Sequence, residues 1–143
     1  MSASDSVMND VLETLRGIRV ESGFRNTAAE VTERPASYER IGRFPTLCVE
    51  SLKETVRLLP GRRRRRTIRL RITGFVRVSA GGDKYKAARD LLADVEDALM
   101  GDPTRGGTAV STNVSEAVHL FAPDEQGGRT ACVVEIVTHE AVG

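Results

Sequence analysis

Tryptophan is absent from this 143-residue chain, and the aromatic share is only 4%. Proteins that grip single-stranded nucleic acid stack successive bases on aromatic rings, so that class of binder is poorly supplied. Histidine occurs twice, as His119 and His139, and neither has a Cys, Asp or Glu at a spacing typical of metal ligands. Both fall in strand-like stretches and are expected as surface or half-buried residues. Cys48 and Cys132 are too few and too far apart for a disulfide framework. Each sits among apolar neighbours and is expected as a small buried hydrophobe without a bridge. No run approaches the ~18 apolar residues that span a bilayer. The opening MSASDSVMND lacks the basic and apolar blocks of a signal peptide. These absences predict a chain that starts in the cytosol and has no membrane partner.

An excess of one charge is missing too. Lys and Arg number 21 against 20 Asp and Glu, a formal net charge of +1. A dedicated nucleic-acid binder usually carries a strongly basic domain. The paired glycines of SAGGDK and TRGGT match neither the phosphate-cradling loop nor the dinucleotide fingerprint, and read as turns. No Ser, Cys or Thr stands in a recognisable nucleophile context. Asp90, Asp94 and Asp97 fall at helical spacing opposite an apolar stripe, which predicts a solvated face rather than a carboxylate pair. The expectation is a protein that is not an enzyme, with no cofactor and no metal.

What is present is ordinary for a folded protein: 40% apolar and 29% charged residues, enough for one domain over residues 1–143. Val7, Val11, Leu12, Leu15 and Ile18 recur at helical spacing behind Ser4 or Ser6 as N-cap, with Gly23 as a stop. The passage 24–43 is polar and irregular, and Ala28–Thr32 reads as a short edge strand. Thr46–Leu59 and Thr67–Val78 read as strands. In the second, Ile68, Leu70, Ile72, Val76 and Val78 line one face and Arg69, Arg71, Thr73 and Arg77 the other. A second helix is expected from Lys84, capped by Asp83 and ended by Gly101, with Ala88, Leu91, Leu92, Val95, Ala98 and Leu99 inward. Two or three strands follow, over Ala109–Val114, Ala117–Phe121 and Thr130–Thr138, with APDEQGG as a hairpin connection before the last. The order predicts an α+β fold, a mainly antiparallel β-sheet with two helices packed on it.

Between the first two long strands lies PGRRRRR, which reads as the exposed tip of a long hairpin. Arg62, Arg63, Arg64, Arg65 and Arg66 sit at that tip, and Arg69, Arg71 and Arg77 continue the charge down one face. These eight are the candidate partner or lumen interface. Three readings stay open. The tip is solvated and guards a sheet edge; it docks on an acidic protein surface through bidentate arginine contacts; or it touches DNA weakly.

The stretch KAARDLLADVEDALMGDPTRGGTAVSTNV, Lys86–Val114, carries two phrases. In the first, Asp94, Val95, Ala98 and Leu99 close a helix; in the second, Asp102, Thr104, Gly106 and Gly107 enter a strand. In this the chain resembles the tail terminator (minor tail, tail completion) proteins of long-tailed bacteriophages. Arg105 stands where that family more often has a leucine. The likeness extends over most of the chain in the order of elements, including RFPTLCVES as the entry to the first long strand. It implies a virion protein at the head–tail junction, assembled in the host cytoplasm. Such a protein forms a homohexamer on the end of the tail tube, stops tube polymerisation and presents a surface to a neck or head-completion protein. Six copies would place on the order of thirty arginine charges around the axis or rim, where weak contact with DNA in the lumen is one of the three open readings. Two rivals remain: another neck ring, such as a head-completion or stopper protein, and a small DNA-binding protein using Arg62–Arg66.

Overall fold

The computed structural model describes residues 2–120 and 129–143; the expected APDEQGG connection lies outside them. Helix α1 spans Ala3–Arg16. Ser2 and Asp5 form a reciprocal capping box, so the helix starts earlier than a cap at Ser4 or Ser6 would give. It ends at Gly17 rather than Gly23, which instead closes a short 3-10 turn with φ of 96°. Strands β1 (Glu30–Glu33), β2 (Thr46–Leu59) and β3 (Arg63–Arg77) follow, then α2 (Lys84–Met100), β4 (Ser111–Leu120) and β5 (Thr130–Val142). Helix α2 has the predicted bounds: the Asp83 carboxylate accepts from the Tyr85 and Lys86 amides, and Gly101 caps the other end.

The strands form one sheet in the order β1-β2-β3-β5-β4, with β1 parallel to β2 and every other pair antiparallel. The fold is therefore α+β, with a mostly antiparallel sheet and two helices. The expected edge strand is present, shifted to Glu30–Glu33. The two strands read at Ala109–Val114 and Ala117–Phe121 are one strand, β4, whose register slips between Val114 and Glu116.

Both helices lie on the same face. Val7, Val11 and Leu15 of α1 and Leu91, Val95 and Leu99 of α2 close over Leu47, Ile68, Leu70, Ile72, Val133 and Val137. The approach is tight at Gly74: a Cβ there would meet Leu91 Cδ2 at 2.8 Å and Leu47 Cδ2 at 3.1 Å. On the opposite face a smaller cluster of Cys48, Phe75 and Cys132 is roofed by Ala36, Tyr38, Ile41 and Phe44. That roof covers only one end of the sheet. Both cysteines are free and buried, and burial pushes the Cys132 thiol up to about 11.

Candidate interaction surface

The arginine run is a strand, not a loop. Strand β3 begins at Arg63, and the turn contracts to Pro60, Gly61 and Arg62, with Gly61 at φ 79° and Arg62 at φ 63°. Arg63–Arg66 pair with Leu59–Val56 on one side, while Arg65 and Arg66 pair with Val142 and Ala141 on the other. Arg64 also exchanges backbone bonds with Gly143. A run of like charges was read as a turn because it follows Pro-Gly, but sheet pairing on both sides overrides that signal.

Alternation along β3 divides the charges between faces. Arg64 and Arg66 continue the helix-side row of Ile68 and Leu70, beside the start of α1. Arg63, Arg65, Arg69, Arg71 and Arg77 share the outer face. Three of the eight candidates are internally neutralised: Arg65 with Glu140, Arg66 with Glu54 at 2.6 Å and Arg71 with Glu50 at 3.0 Å. Hydrogen bonds from Ser4 and then Arg66 hold the Glu54 carboxyl below its ordinary range. Arg77 lies over the Phe44 ring at 4.5 Å. Arg62, Arg63, Arg64 and Arg69 are exposed.

The hairpin also carries apolar side chains in water. Leu52, Val56 and Leu58 are 42%, 47% and 76% exposed. Val56 and Leu58 pair with Arg66 and Arg64, which sets them on the helix-side face. Leu52 is the extra residue where the β2 register slips between Ser51 and Lys53. Since β1 pairs only as far as Val49, the β2 edge beyond it has no neighbouring strand among the described residues. Lys53 and Arg57 stand along it.

On the outer face the partial roof leaves a cleft of about 770 Å³. Its floor and walls are Tyr38, Phe75, Val118, Cys132, Val134 and Ile136, with Arg71 and Glu116 at its margin. Its lining is mostly apolar.

Several charged residues are placed where the sequence did not put them. Asp94 is fully buried, not part of a solvated face. Its carboxylate accepts from the Arg25 and Asn26 amides at 3.0 and 2.9 Å, from Asn26 Nδ2 at 2.9 Å and from Arg25 Nη1 at 3.3 Å. It thereby fixes the irregular passage after α1 onto α2. Asp97 stays exposed and pairs with Arg25. Arg105 is fully buried, at φ 51°. Its guanidinium donates to the Leu99 and Asp102 carbonyls and to Thr14 Oγ1, and lies 3.3 Å from Asp10. Arg105 thus ties the end of α2 to α1. Asp102 accepts from Thr104 Oγ1 and from the Thr104 and Gly106 amides, which depresses its carboxyl.

His139 is fully buried on β5, against the expectation of a surface or half-buried site, and burial lowers it to about 4. Four residues earlier, on the same face, Glu135 is buried beside Glu96, and burial raises it to about 8. Both were hidden in an alternating strand pattern that β5 buries on both faces.

No protein-family model matches this chain, and no curated protein matches it. Among solved structures it is similar to a chain in the virion of a native gene transfer agent (GTA) particle. The TM-score is 0.59 and the identity 18%, over 93% of this chain and 92% of the other. At that identity the likeness is one of fold, extending over nearly the whole of both chains.

Proposed function

We propose that this chain is a structural protein of a phage-like virion, and within that class a tail terminator. Its copies close into a six-membered ring on the end of the tail tube, block further tube growth and offer the opposite face to the neck. The role is geometric and involves no chemical step. The observation that carries the reading is the fold likeness to a virion chain across nearly the full length of both. The Lys86–Val114 motif adds to it, because two of its matching residues, Asp94 and Asp102, each hold a separate segment in place there. A heterologous contact between neighbours closes into a ring when its rotation is right.

Removal of the gene from its particle tests the reading. The expected outcome, by negative-stain microscopy, is tails of uncontrolled length or heads without tails. Tails of normal length joined to heads would overturn it. A protein seated at the portal rather than on the tube would make the chain a stopper or other neck ring.

The exposed Arg62, Arg63, Arg64 and Arg69 favour a second reading, DNA binding. Against it, Arg65, Arg66 and Arg71 are already paired with glutamates. Duplex DNA carries a charge every ~1.7 Å, and a protein that neutralises six or more phosphates binds with a steep salt dependence. Duplex binding with that slope, lost when Arg62–Arg66 become Ser, would favour this second reading.

A further inference from the structure

The helix-side face of the hairpin tip borders a pocket that the ring reading does not use. Its volume is about 370 Å³, and it is lined by Arg62, Arg64, Arg66, Ala3, Ala141 and Gly143. Strand pairing creates it. Arg66 stands opposite Ala141, and the Arg64 backbone bonds to Gly143, so β5 puts almost no side-chain bulk beside the two arginines. Ala3, the first residue of α1, adds only a methyl group. Three long cationic side chains thus surround a floor of small ones. Their charge is only partly balanced. Arg66 is paired with Glu54, which also accepts from Ser4, and Asp5 is held by Ser2 in the capping box. Arg62 and Arg64 make no ion pair among the described residues. The positive end of the α1 dipole opens on the same space.

We propose that this pocket binds a phosphate group, held by Arg62 and Arg64. A phosphate group carries roughly −1.5 to −2 charges at pH 7, which answers two free guanidiniums. A single carboxylate would leave one of them unanswered. Each guanidinium presents a planar fork of donors to the phosphate oxygens. No aromatic ring and no large apolar side chain lines the pocket, so nothing in it stacks or reads a base. Recognition is therefore of phosphate alone. The source is either a free phosphate group or neighbouring diesters of a nucleic-acid strand, which offer the same two charges. The pocket needs no contact between copies and does not rest on the ring reading; only its nucleic-acid source rests on the second reading above.

Titration of the full chain with inorganic phosphate at constant ionic strength, followed by nitrogen–proton NMR, tests this. Saturable shifts are expected at the guanidinium and backbone signals of Arg62 and Arg64 and at the Ala3 amide. Arg62→Ser combined with Arg64→Ser should weaken binding by about tenfold or more, because hydrogen bonds between charged groups are lost. Arg63→Ser combined with Arg69→Ser removes two exposed arginines of the outer face and should change it by less than about twofold. Gly143→Val keeps every arginine but narrows the pocket; a Cβ there meets nothing within 4 Å, so the fold should hold. It too should weaken binding. Shifts that never saturate, equal losses in the two arginine pairs, or full binding by Gly143→Val would each overturn the pocket. Competition separates the sources. A duplex without terminal phosphates that displaces phosphate from the wild type makes the nucleic-acid backbone the ligand and supports the second reading. A duplex that leaves phosphate bound keeps the pocket for a free phosphate group and counts against that reading.

Discussion

At the scale of single residues, two buried ionisable side chains on β5 set opposite pH slopes. Glu135 is buried beneath α2, and beyond the burial itself the neighbouring Glu96 opposes its ionisation. Its value rises from an ordinary 4.5 to about 8, so between those values the unfolded chain holds fewer protons and stability falls as pH rises. His139 moves from 6.5 down to about 4, so between those values the unfolded chain holds more protons and stability falls as pH drops. The slopes largely cancel from 4.5 to 6.5, and above 6.5 that of Glu135 stands alone. The wild type should therefore lose about 2 kcal/mol between pH 6.5 and 8. Glu135→Gln should flatten that decline. Urea unfolding across the range, followed by circular dichroism, checks it; parallel slopes for the two proteins would place the pH dependence elsewhere.

Elements show what could be read from sequence and what could not. The alternation of Ile68, Leu70 and Ile72 with Arg69 and Arg71 marks a strand with one dry face, and α2 announces itself through Asp83, an apolar stripe and Gly101. Those signals are local. The parallel pairing of β1 with β2 is not, and nothing in EVTE specifies its neighbour. Asp94 was misread because helical spacing gives an angle around the axis, but not which distant backbone will cover it; here residues 25 and 26 do. Of the eight candidate arginines, all lie on β3 or its turn, but the run divides between two faces instead of forming one cationic tip. This division limits what the run does for stability. Arg65 and Arg66 make partly exposed ion pairs, worth roughly 0–1 kcal/mol each. Changing Arg62–Arg66 to Ser should therefore leave the fold intact and lower unfolding stability by no more than about 2 kcal/mol. Loss of cooperative thermal unfolding would mean that the run is needed to hold β3 between its neighbours.

For the whole molecule, the near-zero net charge conceals a strong polarity: the segment from Ser51 to Arg71, with nine basic residues and one acidic, carries +8 and the rest of the chain −7. Like copies with this distribution attract when the basic hairpin meets the acidic remainder and repel when hairpin meets hairpin, which biases encounter before any apolar contact forms. Fields of this kind act mainly on encounter and are screened over about 10 Å at 0.1 M salt. Exposed apolar side chains such as Leu58 act mainly on dissociation. In the proposed ring, the two contributions to contact between copies should therefore separate kinetically. Replacing Arg62–Arg66 by Ser should slow association and flatten its dependence on salt, while the dissociation rate stays near that of the wild type. Leu58→Glu should chiefly speed dissociation. Surface-immobilised wild type, with each variant in solution at several salt concentrations, reads both rates. An unchanged association rate in the arginine variant would mean that the charge polarity does not guide assembly, even if the apolar contact stands.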